Sequence, residues 1–297
     1  MKINFSKYFK ISNILSVVFF TVSILFILFK GLNYGIDFKG GTLFEIKTNK
    51  DISTLNIRDT LKNLQLGDVN VKNFGDKGNF LIKVEQSNNK ESIPLIKKTL
   101  LENLSNEINF RRVEKVGPKV SSELLKSGII SICLALFAML FYIWIRFEWQ
   151  FSLGSIVALF HDVVITLGIF SLFSIEINLS IVAAVLTIVG YSMNDTVVIY
   201  DRIRENLSKY NRINITEVSD ISINETLSRT LITSVTTLLA LFSIFILGGE
   251  ILKGFSFAMI VGVFIGTYSS IFIASPVLKY LKVTSKTLEK KEENIVP

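Results

Sequence analysis

One cysteine and one histidine are all that 297 residues supply of either type. Cys133 by itself cannot close an intramolecular disulfide, and it stands inside an apolar run, so it carries no message about redox compartment. A zinc centre of the usual His/Cys kind cannot be assembled from this chain alone. The first apolar run, entered past Lys2, Lys7 and Lys10, is longer than a secretory signal core, and "FKGLNYG" after it lacks a small-x-small cleavage site. An uncleaved anchor is the expectation. The formal charge is +7, yet no basic segment is interleaved with aromatics, so nucleic acid is not an expected partner.

What the sequence has in quantity is hydrophobic side chains, 49% of the total. They gather into long runs at about 11–29, 128–147, 151–173, 179–200, 230–248 and 254–275, each long enough to cross about 30 Å of hydrocarbon as a helix. Six spans are expected. Lys and Arg crowd before the first (Lys7, Lys10), between the fourth and fifth (Arg202, Arg204, Lys209, Arg212, Arg229), and after the sixth (Lys279, Lys282, Lys286, Lys290, Lys291). By the positive-inside rule both termini are expected in the cytoplasm, and the segment between spans one and two outside it. The expected division is 1–32 for the N-terminus and first span, 33–127 for the outer domain, 128–278 for spans two to six, and 279–297 for a tail. That tail reads as solvated, or as touching anionic membrane lipid.

The outer segment has a readable pattern. "TLFEIK" alternates as a strand, and "STLNIRDTLKNLQL" is helical behind a Ser53 cap. "VNVKNF" and "NFLIKVE" are strands around the turn "GDKG". "SIPLIKKTLLENL" is helical with Pro94 in its first turn, and "INFRRVEKV" is a last strand. The order βαββαβ is that of a ferredoxin-like α+β sandwich, a fold with many functions. After Gly117 and Pro118 a helix runs toward the second span without a linker. It reads either as a mechanical connection or as an ordinary surface helix. "GIDFKGGTLFEI" reads as a turn into the first strand, and "GVFIG" as a GxxxG that lets helices approach closely.

Polar residues inside the spans carry the functional argument. Asp195 lies six residues before Asp201, roughly 9 Å deep at 1.5 Å per residue. A carboxylate at such depth costs at least ~2.5 kcal/mol and must face protein or water. Arg229, on the fifth span, is the expected partner, and Thr233, Thr236 and Thr237 are expected on an inward hydroxyl stripe below it. A carboxylate alternating between a guanidinium and a proton is a switch; a static pair fixing helix register is the plainer alternative. Asn194 adjoins it. His161 and Asp162 form a second polar pair in the third span, readable as an extension of a relay or as a structural bond between helices. No Gly-x-Gly-Asp surrounds either aspartate, which argues against intramembrane proteolysis, and no enzymatic site is expected.

Several motifs fall in order along nearly the whole chain. "YGIDFKGGTLFEI", "VGPKVSSELL", "ALFHD", "GYSMNDTVVIYDRIREN" and "SRTLITSVTTLLAL" resemble those of the SecD/SecF family of bacterial protein-export membrane proteins, and within it the shorter, SecF type. The family falls in the resistance-nodulation-division superfamily. The resemblance implies a subunit of the inner membrane that pairs with SecD as a heterodimer. The pair would use the proton gradient, with H+ or else Na+ as coupling ion and no cofactor, to draw preproteins out of the SecYEG channel. By motif, Asp195 matches the family's fourth-span proton site and Arg229 its fifth-span arginine. The alternative is a scaffold that stabilises SecD and the translocon without its own relay. "RFEWQF" departs from the pattern, since a basic residue is expected near Glu148.

Overall fold

A computed structural model describes residues 3–49, 52–62, 64, 67–73, 75, 77–84, 92–104, 107–210, 213–285 and 287. In chain order the elements are a 3-10 turn (Phe5–Tyr8), α1 (Phe9–Phe29), β1 (Asn33–Tyr34), α2 (Ile36–Lys39), β2 (Gly41–Lys47) and α3 (Thr54–Lys62). Next come β3 (Val69–Asn73), β4 (Asn79–Val84), α4 (Ser92–Asn103), β5 (Asn109–Val116), α5 (Pro118–Arg146), α6 (Trp149–Leu172) and β6 (Glu176–Ile177). The chain ends with α7 (Leu179–Lys209), α8 (Ile215–Leu247), α9 (Gly249–Ser269), a π-helical turn (Ser270–Ala274) and α10 (Ser275–Tyr280). It divides into two compact units. One holds Tyr34–Ile130 with Glu176–Leu179, and the other holds the remainder.

In the first unit β2, β3, β4 and β5 form one antiparallel sheet in the order β3-β4-β2-β5, with α3 and α4 as the two intervening helices. This is the βαββαβ sandwich that the alternation predicts. Phe44, Ile46, Ile82 and Val84 from the sheet meet Ile57, Leu61, Ile96 and Leu100 from the helices. Burying each such side chain stabilises the fold by about 1.5–3 kcal/mol. The Ser53 hydroxyl accepts from the Asn56 amide at 3.2 Å, capping α3, and Pro94 lies in the first turn of α4, where no amide hydrogen is needed. In the turn "GDKG", Asp76 lies outside the described residues, while Gly75 and Gly78 have positive φ.

The second unit holds helices long and apolar enough to cross a bilayer; counting α5, which begins in the first unit, there are six among the described residues. α6, α7 and the stretch from α9 through α10 are the most buried, whereas α1, α5 and α8 turn most of their surface outward. Cys133 is exposed on α5. Besides α5, which begins at Pro118, two helices outrun the apolar runs that announced them: α7 continues past Tyr200 to Lys209, and α8 begins at Ile215, capped by Asn214. The extensions hold each other by polar bonds. The Asn206 amide donates to Ser222 Oγ (3.0 Å) and Glu225 Oε2 (2.8 Å), and Arg202 Nε sits 2.7 Å from Glu225 Oε2. Hydropathy could not register this pairing because its residues are hydrophilic.

The sixth span is not one regular helix. α9 gives way to the π-turn and then to α10, whose second residue, Pro276, has no amide hydrogen to donate. The buried Tyr200 hydroxyl donates to the Ala274 carbonyl at 2.8 Å. Within α9, Gly262 and Gly266 face α7. A Cβ on Gly262 would fall 2.3 Å from Ile188 Cγ1, and one on Gly266 would fall 3.0 Å from Ser192 Cβ. The GxxxG therefore seats α9 against α7. The lysine-rich tail from residue 288 onward lies outside the described residues.

Candidate functional site

A transmembrane helix satisfies its backbone internally, so its buried polar side chains must find partners on other helices. Asp162 of α6 is fully buried and has two such partners, together with its own neighbour His161. His161 Nδ1 lies 2.9 Å from Oδ1, while the Ser192 hydroxyl of α7 (2.6 Å) and the Ser269 hydroxyl of α9 (2.7 Å) both donate to Oδ2. The close approach at Gly266 is what brings Ser192 and Ser269 to one oxygen. His161 is stacked between Phe20 of α1 and Tyr268 of α9, at ring-centroid distances of 6.4 and 6.5 Å. Its Nε2 is buried and has no hydrogen-bond partner among the described residues. His161 and Ser16 line two grooves, of 520 and 320 Å³.

Asp195 stands three residues beyond Ser192 on the same buried face of α7, and only 3% of it is exposed. Its Oδ2 has no hydrogen-bond partner among the described residues. The Thr267 hydroxyl lies against the carboxylate and is itself bonded to Ser234 Oγ of α8 at 2.7 Å. Arg229 acts on Asp195 as its charged neighbour. The expected contact pair is not formed, however: among the described residues no ion pair within 4.0 Å joins them. Arg229 is exposed.

The hydroxyl stripe also has to be redrawn. Thr236 is exposed, and both Thr233 and Thr236 return their hydroxyls to carbonyls of their own helix. Of the three expected threonines only Thr237 meets another helix, through the Tyr191 hydroxyl at 3.4 Å. Thr233 does share a face with Arg229, four residues away, but that face points outward. The inward stripe is Thr226, Thr230 and Ser234, at the same spacing of four and one position round the helix. Asn194 is exposed and does not join the buried cluster. Ser192, Ser234, Thr267 and Ser269 were missed by sequence reasoning; the small polar residues one turn from each aspartate, and those flanking the GxxxG, were the available signal.

Near Asp201 the unusual "RFEWQF" loop finds its basic partner on another helix. Arg204 of α7 lies 3.1 Å from the buried Glu148, and Arg146 pairs with Asp201 at 2.9 Å. Both guanidinium groups lie over the Phe147 ring, at 5.1 Å for Arg146 and 5.8 Å for Arg204.

Residues 96–284 match the family described as "Protein export membrane protein SecD/SecF, C-terminal", and residues 25–52 match the "SecD/SecF GG Motif". Protein translocase subunit SecF of Rickettsia rickettsii is 41% identical over 293 residues, covering 97% of this chain and 95% of that protein. SecF of Cereibacter sphaeroides is 43% identical over 279 residues, covering 90% of this chain and 86% of that one. The crystal structure of SecDF from Thermus thermophilus, a translocon-associated membrane protein, superposes with a TM-score of 0.87 at 33% identity. The match covers 95% of this chain and 39% of that one, so this chain spans well under half the length of the SecDF polypeptide. A match at nearly full length to SecF proteins, carried on a six-helix fold with a small α+β unit, has one conclusion: the chain belongs to the SecD/SecF family of protein-export membrane proteins, as a SecF-type translocase subunit and not an enzyme.

Proposed function

We propose that this subunit couples the proton gradient to a late step of preprotein export, acting with a SecD partner beside the SecYEG channel. Asp195 is the group that takes and releases the proton. The observation that carries this reading is the state of its carboxylate: buried at membrane depth, with one oxygen unpartnered among the described residues and no ion pair within 4.0 Å to Arg229. A register-fixing salt bridge would be closed. A site that must accept a proton is better served by a free oxygen and a basic group close enough to bias it. Arg229 is that group. His161 and Asp162 sit one turn away, joined to the same helix through Ser192, and support the relay.

The charge pattern favours both termini in the cytoplasm of a bacterial inner membrane, with residues 33–127 in the periplasm. Moving one charge across 100 mV is worth about 2.3 kcal/mol, and a pH difference adds to it. The outward-facing Arg229, Asn194 and Thr236 suit a polar neighbour helix, consistent with a heterodimer with SecD. Asp195→Asn tests the reading in membrane vesicles. The expected variant folds and assembles but loses the gradient-dependent part of export. Export that still responds to the gradient would leave the scaffold role instead.

A further inference from the structure

The loop between α6 and α7 is a hairpin connection, and chain connectivity does not require it to join the outer unit. It nevertheless clusters there, as Glu176–Leu179. Contacts to the outer unit at Glu176, Ile177 and Leu179 hold it. The Gly35 amide donates to the Ile177 carbonyl at 2.8 Å, extending the β1–β6 pairing. The Leu179 amide, first in α7, donates to Asp37 Oδ2 at 2.9 Å. The Lys83 ammonium of β4 forms an ion pair with Glu176.

The segment "GIDFKGG" is shaped for this purpose. A Cβ on Gly35 would lie 2.6 Å from Glu176 Oε1 and 3.2 Å from the Ile177 carbonyl oxygen, so a larger residue here would displace the Glu176 side chain and press on the loop. α2 is a single turn that presents Asp37, with Phe38 buried beneath it as an anchor. Gly40 and Gly41, at φ +80° and +134°, swing the chain from that turn into β2 at the centre of the sheet. Asp37 thus caps a helix to which it is remote in sequence, supplying an acceptor to an amide that has none within its own helix.

We propose that Gly35, Asp37 and Lys83 form a clamp on the first turn of α7, making the helix that carries Asp195 a strut through which proton-driven movement reaches the outer unit. Asp195 lies 16 residues along an unbroken helix from the clamped end, about 24 Å at 1.5 Å per residue. Asp37 is a positioning residue and takes no part in proton transfer. The proposal rests on the proton-site reading of Asp195 for its purpose but not for its geometry.

The full chain with its co-purified partner, in proteoliposomes, allows the test. Asp37→Ala, alone and with Glu176→Ala, is compared with Asp37→Asn, which keeps an acceptor oxygen. Hydrogen exchange at the Leu179 amide is expected to rise about fivefold in Asp37→Ala, the equilibrium equivalent of a lost helix cap, and to stay near wild type in Asp37→Asn. Exchange at the core amides of Ile82 and Ile96 is expected to be unchanged, which establishes that the unit is folded. In the double variant proton flux should persist while gradient-dependent export falls severalfold, with Asp37→Asn restoring the ratio. Export at the wild-type level despite an opened Leu179 amide would overturn the proposal, as would flux and export falling together. If Asp195→Asn leaves gradient response intact, the proton-site reading fails by itself, and exchange at Leu179 still decides whether the clamp exists.

Discussion

Ser192 donates a 2.6 Å hydrogen bond to Asp162, and three residues further along the same face of α7 stands Asp195, with one carboxylate oxygen unpartnered among the described residues. Two buried aspartates, one turn of a shared helix apart, are thus in opposite states. One is bonded at both oxygens, by its neighbour His161 and by hydroxyls from two other helices, and the other keeps an oxygen without a partner among the described residues. That difference predicts different responses to substitution.

Asp162→Ala leaves the Ser192 and Ser269 hydroxyls without their acceptor, and His161 Nδ1 without its partner, in a buried site. Unsatisfied buried groups of this kind cost about 1–3 kcal/mol each before relaxation, so a loss of about 2–4 kcal/mol is expected. Asp162→Asn keeps one acceptor oxygen for the hydroxyls and should cost less than half as much. Thermal unfolding of the purified protein in detergent measures both. Equal losses would mean that the bonds to α7 and α9 contribute little.

The GxxxG positions should respond in order of proximity. Gly262→Ala places a methyl 2.3 Å from Ile188 Cγ1, a β-branched side chain with little room to yield, whereas Gly266→Ala meets Ser192 Cβ at 3.0 Å. Overpacking predicts a cost of about 1–3 kcal/mol at Gly262 and a smaller one at Gly266. The same unfolding assay ranks them. A more damaging Gly266 variant would show that displacement of Ser192, not crowding, dominates.

Lys83 brings a pH dependence to the outer unit. Burial, and then the neighbouring Lys72, pull its ammonium down from 10.5 to about 8, against the opposite pull of Asp37. Because the folded value lies below the ordinary one, the unfolded chain binds more protons between about pH 8 and 10.5, so this lysine's contribution to stability rises with pH across that window. In the folded chain the pair with Glu176 loses its cation as pH rises through about 8. Lysine-selective NMR should find a midpoint near 8 that moves upward in Lys72→Gln. A wild-type midpoint at the ordinary value would remove the effect.

How much was legible in advance follows from which residues carry a local signal. Alternation in "TLFEIK" and the capped helix at Ser53 announce the sandwich because strand and helix periods are properties of consecutive residues. Asp195 announces itself because a carboxylate in an apolar run has to be explained. The azimuth of α8 is another matter. Arg229 and Thr233 do lie on one face, but which face turns inward is decided by packing against α7 and α9, and both candidate stripes are rich in hydroxyls. The reach of Arg204 to Glu148 and of Asp37 to Leu179 was invisible for a related reason. Each joins residues far apart in sequence, and no periodicity encodes such a distance.

The wide turn at Ser270–Ala274 has its own effect on how this chain is compared with others. It holds about one residue more than a regular turn would, which resets the azimuth of everything after it by roughly 100°. Ser269 before it and Leu278 after it are both fully buried, although nine regular helical steps would set them on opposite sides. Counting in threes and fours from Gly262 therefore misassigns the last two turns of the span, and an alignment gap inside 270–274 marks geometry, not drift.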